Sequence, residues 1–157
     1  MTDRLPHPGV RFPPPLLYAV AFLVGYLLHR AYPLAIAASA PRRLEIAGLA
    51  LVGMWVAFMG AAFVMFLRAR TNIMPNRPAA SLVTTGPYQL TRNPMYVSLV
   101  LLYTGGALLL NAWWPLFFLP LVIVAIDRLV IAREERYLLD AFGGHYDAYC
   151  RRVRRWI

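Results

Sequence analysis

Two polar clusters in the second half of the chain carry residue types that could bind or react with a ligand. The first, Gly86–Tyr96, reads GPYQLTRNPMY, and the second, Arg133–Tyr149, reads REERYLLDAFGGHYDAY. The 32 residues Met95–Ile126 that connect them carry no charge. An apolar hairpin therefore ties the clusters together, which predicts that any chemistry takes place at a membrane surface.

In the first cluster, Asn93-Pro94 is a helix-start signal, because asparagine caps a first turn and proline fits the first helical position. The backbone amides of such a turn, with the positive end of the helix dipole, can receive an anionic or polar ligand group. Tyr88 and Tyr96 flank this point and could stack on a flat ring. The alternative is a plain helix cap between interfacial tyrosines.

In the second cluster, Glu134 and Glu135 are the candidate acidic ligands. Asp127, Ile131, Glu134 and Leu138 follow one another at helical spacing, so a regular helix would place them on one face. A carboxylate there could bind an ammonium or sulfonium group. The alternative is a solvated face on which Arg133, Arg136 and Asp140 exchange weak ion pairs.

Composition indicates a membrane protein. Of the 157 residues, 60% are hydrophobic and 15% charged, with a net charge of +9. All basic residues are arginines that flank apolar segments, which favours anchoring to anionic headgroups and argues against nucleic acid as a partner. With one cysteine, Cys150, and three widely spaced histidines, no metal site is expected.

Hydropathy predicts an all-α polytopic membrane protein with about four transmembrane helices. The first span carries some features of a signal peptide, but Pro41 follows the cleavage-like site, so we expect it to stay uncleaved. The predicted segments are Pro15–Tyr32, Ile46–Leu67, a third from Met95 to near Leu110, and a fourth from Trp113 to beyond Ile126.

The last two segments form a hairpin that is short for its task. Two full spans and a turn need more than about 40 residues, whereas the uncharged stretch has 32. Either the hairpin is tilted and shallow, or Asp127 and Arg128 lie below the headgroups, facing a polar cavity or a partner. The simpler alternative leaves both residues at the interface, with Arg128 snorkelling.

We expect one membrane domain over residues 1–157, with two N-terminal spans (13–67), a cytoplasmic connection (68–93), and a hairpin with a C-terminal cofactor-binding part (94–157). Arginines are richest in that connection and after the fourth segment, which the positive-inside rule assigns to the cytoplasm. After a break at Gly143-Gly144, an amphipathic interfacial helix is predicted from the helical spacing of Phe142, Tyr146, Tyr149 and Val153. A helix packed in the core is the alternative, and both can hold.

The ordered set of motifs resembles the membrane-embedded methyltransferases that include isoprenylcysteine carboxyl methyltransferase and the phospholipid N-methyltransferases. The matching residues cover about 80–155 in the family's order and spacing. They are Gly86-Pro87-Tyr88, Arg92-Asn93-Pro94-Met95-Tyr96, the apolar hairpin, Glu134-Glu135-Arg136-Tyr137-Leu138, Phe142-Gly143-Gly144-His145-Tyr146-Asp147-Ala148-Tyr149, and the basic end.

The resemblance implies S-adenosylmethionine as methyl donor. The positions that correspond to the family's donor site are Ala80, Ser81, Leu82, Val83, Tyr88, Asn93, Pro94, Met95, Tyr96 and Glu134. This sequence departs from the pattern at Asn93, where histidine is commoner. It departs again at Val130, where the carboxyl methyltransferases have a substrate-binding arginine.

The implied reaction is direct transfer of the methyl group from the donor's sulfonium to an acceptor that enters from the lipid. Arg92, Arg128 or Arg133 could orient an anionic acceptor, and Glu135 could take the proton from an amine or thiol. The acceptor stays open among a prenylated cysteine carboxylate, a phospholipid amine, a small thiol and a quinone-like lipid. The expected location is the cytoplasmic membrane of a prokaryote, with the site facing the cytoplasm. A sterol-reductase-like NADPH enzyme and a non-catalytic membrane interaction protein are the alternatives.

Overall fold

A computed structural model describes residues 13–39, 41–69 and 81–157. In these ranges every regular element is helical, which confirms the predicted all-α class. The elements are α1 (Pro14–Ala31), α2 (Pro41–Arg68), a 3-10 turn (Gly86–Gln89), α3 (Pro94–Leu109), α4 (Trp113–Ile126), a π-helical segment (Asp127–Ile131), α5 (Ala132–Phe142) and α6 (Gly144–Arg152).

The helices confirm a polytopic membrane protein. Three stretches are long and apolar enough to cross a bilayer, namely Pro14–Ala31, Arg42–Arg68 and the continuous 30-residue helix Trp113–Phe142. The fourth apolar helix, α3, has 16 residues, fewer than the about 20 that a straight crossing needs. All four predicted hydrophobic segments are therefore helices, and the hairpin is short on its α3 side.

The chain forms two compact units, each described by itself. The apolar unit contains Pro13–Ala57 and Tyr96–Ile126. The motif unit contains the described residues of Phe58–Met95 and of Asp127–Ile157. Both predicted polar clusters lie in the motif unit, except that Tyr96 is the first residue of the apolar unit's second stretch.

Glycines let helices approach closely in the apolar unit. A Cβ atom added at Gly105 would lie 2.9 Å from the carbonyl oxygen of Gly48, and one at Gly25 would lie 2.6 Å from Pro115 Cα. Without side chains at these points, backbones can touch, which is how helices gain contact in lipid. The Tyr103 hydroxyl adds a hydrogen bond of 2.9 Å to the Pro115 carbonyl oxygen.

The predicted turn at Asn111 is confirmed and also organises the loop after α1. Asn111 has a φ of 52°, a left-handed conformation that asparagine tolerates. Its Oδ1 accepts hydrogen bonds of 3.0 Å from the amides of Ile36 and Ala37, and its Nδ2 donates to the Ala37 carbonyl oxygen at 2.9 Å. The Asn111 side chain thus adds to the backbone hydrogen bonds that join the loop to this turn, from the Ile36 amide to the Asn111 carbonyl oxygen and from the Trp113 amide to the Leu34 carbonyl oxygen.

The motif unit has a core in which tyrosines predominate. Tyr88 and Tyr149 are buried, and the Tyr149 hydroxyl donates to the Tyr88 carbonyl oxygen at 2.6 Å. Tyr146 is buried beside them, so the apolar face predicted for α6 packs into this core. Gly143, with a φ of 53°, separates α5 from α6 as predicted, because a positive φ ends the helix.

The segment Val153–Ile157 lies along the turn Thr91–Asn93. The Arg92 amide donates to the Arg154 carbonyl oxygen at 2.9 Å. The Arg155 carbonyl oxygen accepts from Thr91 Oγ1 at 2.9 Å and from Asn93 Nδ2 at 3.0 Å. Thr91 is fully buried, and its Oγ1 also accepts from the Asn93 amide at 3.1 Å. The turn before α3 is therefore held by residues more than 60 positions away in the sequence.

We expect Gly105→Ala to lower the melting temperature of the detergent-purified protein. The new methyl would press on a backbone oxygen, and such overpacking costs about 1–3 kcal/mol. Gly53→Ala is the matched control, since a Cβ there meets nothing within 4 Å and alanine favours a helix. Equal melting temperatures for the two variants would contradict the close packing of Gly48 and Gly105.

We also expect Thr91→Val to destabilise the protein, by about 1–3 kcal/mol. The substitution keeps the shape but leaves the buried Arg155 carbonyl oxygen and the Asn93 amide with one partner fewer. Thr85→Val is the control, because Thr85 is exposed and its hydroxyl only touches Met65 Sδ at 3.5 Å. Thermal unfolding in detergent measures both, and an unchanged Thr91→Val would rule out a supporting role for this pairing.

Candidate functional site

The motif unit contains most of the residues predicted for the site. Ala80 lies outside the described residues, and Tyr96 belongs to the apolar unit. The remaining predicted residues are all in the motif unit, namely Ser81, Leu82, Val83, Tyr88, Arg92, Asn93, Pro94, Met95, Arg128, Arg133, Glu134 and Glu135. Pro94 is fully buried and begins α3, as the helix-start signal predicts.

Four charged side chains form a compact group, here called the charge cluster: Arg92, Asp127, Glu135 and Arg155. Arg155 donates to Glu135 with two of its nitrogens, Nε at 3.1 Å and Nη2. Its Nη1 lies 3.2 Å from both oxygens of Asp127. Arg92 Nη1 lies 3.1 Å from Glu135 Oε1. Two cations and two anions thus neutralise one another around a single guanidinium.

The charge cluster is largely removed from solvent. The side chains of Arg92 and Glu135 are each 16% exposed, that of Asp127 20% and that of Arg155 35%. The pKa of Arg155 is raised, chiefly by its hydrogen bonds to Glu135, and this outweighs the opposing effect of burial. Because desolvated charges are stable only with good partners, these contacts differ in kind from a surface ion pair.

The π-helical segment explains why Asp127 meets Arg155 together with Glu135. In a regular α-helix, residues eight apart are rotated by about 80°, whereas residues seven apart differ by about 20°. The α-helical spacing therefore predicts that Asp127 shares a face with Glu134. A π turn accommodates one extra residue, and Asp127–Ile131 is such a turn. The structure accordingly aligns Asp127 with Glu135.

Glu134 faces a different neighbour from Glu135. Tyr88 is 7% exposed, and its pKa is raised, first by burial and then by the charges of Tyr149 and Glu134. Glu134 therefore lies within electrostatic range of the Tyr88 hydroxyl, while Glu135 binds the arginines. Adjacent residues on a helix point about 100° apart, which lets one acidic pair address two surroundings.

The Tyr88 ring lies among apolar groups. Phe66 meets it edge-on with ring centroids 5.6 Å apart. Val83 is buried in the same cluster, with Leu82 packed against it. The segment before Gly86 thus brings apolar side chains into the same cluster as Tyr88.

Arg92 has one donor to spare within the described part of the chain. Its Nη1 is engaged by Glu135 and also contacts Cys150 Sγ. Its Nε is buried and finds no hydrogen-bond partner among the described residues. A buried donor without an acceptor is costly, so this atom suits the oxygen of a bound ligand.

Arg128 and Arg133 stay outside the charge cluster. Arg128 is 81% exposed and reaches Asp127 only at 3.9 Å, and Arg133 is exposed on α5. The short hairpin was expected to place Asp127 and Arg128 either below the headgroups or at the interface. In the structure Asp127 is bound by Arg155, whereas the Arg128 side chain is exposed. Val130, which the resemblance aligns with the substrate-binding arginine of the carboxyl methyltransferases, is fully buried.

Sequence reasoning missed one member of the charge cluster, Arg155, and two residues that contact the cluster, Cys150 and Trp156. It also missed Thr91, which binds the Arg155 carbonyl oxygen. Trp156 Nε1 donates to Asp127 Oδ1 at 3.1 Å. The only sequence signal was the basic end of the motif pattern, which does not distinguish Arg155 from its neighbours Arg151, Arg152 and Arg154. Asp127 could be flagged, because a carboxylate at the end of an apolar helix needs a partner.

Comparison with known proteins agrees with these observations. The phospholipid methyltransferase family model matches residues 44–145. An uncharacterized protein of Haemophilus influenzae is 38% identical over 63 residues, which cover 40% of this chain and 100% of that protein. No solved structure matches. With the family model covering more than half of the sequence, the chain belongs to the phospholipid methyltransferase family and is an integral membrane methyltransferase.

Proposed function

We propose that the protein transfers a methyl group from S-adenosylmethionine to a lipophilic acceptor in the membrane. The observation that carries the proposal is the surroundings of Tyr88 and Arg92. The second motif supplies Glu134, which lies within electrostatic range of the buried Tyr88. The first motif supplies Arg92, whose buried Nε has no hydrogen-bond partner among the described residues. These groups match the charges that the donor molecule carries.

Each charged or flat group of the donor molecule has a matching residue in the proposed site. Its sulfonium and ammonium are cations, which a carboxylate such as Glu134 attracts in a site shielded from water. Its carboxylate needs donors, and Arg92 Nε is a buried one. The apolar side chains of Leu82 and Val83, beside Tyr88, suit the faces of a flat ring. The same proposal assigns Ser81, Asn93, Pro94 and Met95 to the donor site.

When bound, S-adenosylmethionine supplies a methyl group already joined to a good leaving group. The protein then has to align the acceptor and keep water out. Arg92, held by Glu135, would orient an anionic group, and the exposed Arg128 and Arg133 would attract an acceptor's charged headgroup. Both oxygens of Glu135 accept from arginines, so it would have to give up one of these bonds before taking a proton.

The acceptor is either a carboxylate, which would be O-methylated as in the isoprenylcysteine enzymes, or an amine, which would be N-methylated as in the phospholipid enzymes. The family match and the buried valine at position 130 favour the amine. A small thiol or a quinone-like lipid would enter by the same route from the bilayer.

We propose a cytoplasmic orientation in the inner membrane of a prokaryote. The arginines of the 68–93 connection and those after α4 would lie on the cytoplasmic side, where the water-soluble donor is found. On this reading residues 13–67 contribute two spans, and residues 94–157 contribute the hairpin and the donor site. The chain then acts as one membrane domain.

The test is calorimetric titration of the detergent-purified protein with S-adenosylhomocysteine, the demethylated donor. We expect the wild type to bind, and Glu134→Gln to bind at least about tenfold more weakly, because the ammonium, the cation that remains after demethylation, loses its counter-charge. Asp140→Asn is the matched control, since Asp140 is an exposed carboxylate on the same helix, α5.

Parallel titration with NADPH separates the alternatives. Binding of NADPH alone would indicate a reductase of the sterol-reductase type. If neither nucleotide binds, the protein is a non-catalytic membrane partner. Once donor binding is established, transfer of labelled methyl to membrane lipids, separated by class, would identify the acceptor.

A further inference from the structure

We propose that Arg155 and Asp127 are positioning residues for the methyl donor: they fix the rotation of α5 that presents Glu134 to it. The inference rests on the proposed function, because it takes Glu134 as the contact for the donor. Neither residue would touch the donor itself.

Arg155 joins the two motifs physically. Its carbonyl oxygen accepts from Thr91 Oγ1 and Asn93 Nδ2, which hold the turn before α3. Its guanidinium binds Glu135, the neighbour of Glu134 in the second motif. Arg155 therefore links the turn that carries Arg92 to the helix that carries Glu134, in addition to the direct contact between Arg92 and Glu135.

Asp127 supplies the second anchor on the same helical rod. One guanidinium binds a carboxylate at the start of the π-helical segment and another in α5. Both carboxylates lie on the side of the rod that faces Arg155, so together they hold that side in place, while Glu134 is rotated by about 100° from Glu135 and points to another side. Trp156 Nε1 also donates to the Asp127 carboxylate, at 3.1 Å from Oδ1.

Burial makes this bridge more than an incidental surface contact. Asp127 belongs to the apolar helix Trp113–Phe142, and its side chain is only 20% exposed. A carboxylate in such a place is expensive without a cation. Arg155 is the cation within 3.2 Å of both its oxygens, whereas Arg128 approaches one oxygen at 3.9 Å.

The experiment compares binding of S-adenosylhomocysteine by the full-length protein and four variants in detergent, by calorimetry. Arg155→Ala removes the bridge, Arg155→Lys keeps only the charge, and Asp127→Asn removes the second anchor. Arg152→Gln is the control, because Arg152 is an exposed arginine on the adjoining helix α6. Melting temperature and elution volume report whether each variant is folded.

We expect Arg155→Ala to bind at least about tenfold more weakly, since small displacements in a preorganised site are costly. Arg155→Lys should be intermediate, because an ammonium cannot bind two carboxylates as a planar guanidinium does. Asp127→Asn should lose less than Arg155→Ala, since Glu135 still holds the guanidinium. Arg152→Gln should match the wild type.

Chemical rescue separates positioning from general damage to the fold. Millimolar methylguanidinium should restore much of the affinity of Arg155→Ala by refilling the gap between Asp127 and Glu135. A folded variant whose loss is not restored would contradict the proposal. Should Arg155→Ala fail to fold, the conservative Asp127→Asn decides on its own.

The outcomes also separate this inference from the proposed function. If the wild type binds and both Arg155→Ala and Asp127→Asn bind equally well, the positioning role is wrong while the methyltransferase proposal stands. If the wild type itself does not bind S-adenosylhomocysteine, the proposed function fails, and the positioning role fails with it.

Discussion

The neutralisation of Asp127 is the constraint on which the motif unit depends. A carboxylate within an apolar helix must have a cation, and Arg155 supplies it while also binding Glu135. Because Arg155 comes just after α6, satisfying this charge requires Val153–Ile157 to return to the helical rod. On its way the segment pairs with the turn Thr91–Asn93. The need to neutralise Asp127 thereby also joins the C-terminal segment to the first motif.

The two units solve the problem of packing in lipid by different means. In the apolar unit, glycines such as Gly48 and Gly105 bring backbones into contact, and polar groups serve mainly to hold turns. The motif unit instead uses tyrosines with partners for their hydroxyls and a neutralised set of charges. This division matches where chemistry is proposed, since a ligand that carries charges needs polar groups that are already oriented.

Much of the fold was readable because hydropathy and local signals act over short distances. The four apolar segments, the start at Pro94, the turn at Asn111 and the break at Gly143 each depend on a few adjacent residues. The pairing of Arg155 with Asp127 and Glu135 was not readable, because its partners are 20 or more positions away. Four arginines share the basic end, and only tertiary structure selects one of them. The predicted site residues other than Ala80 lie in the described structure, but their roles stay predictions.

The π-helical segment was equally unpredictable from the sequence, yet it determines which of the two adjacent acids, Glu134 or Glu135, shares a face with Asp127. With regular α-helical spacing, Asp127 would align with Glu134, and both would compete for the same cation. Inserting one residue moves Asp127 to the side of Glu135. Asp127 and Glu135 then both bind Arg155, and Glu134 lies within electrostatic range of Tyr88. On the proposed function, the π turn allows Glu135 to bind Arg155 together with Asp127, while Glu134 contacts the methyl donor. A π turn costs helix stability. The separation of these two roles gives a physical reason for a π turn at this point in the helix.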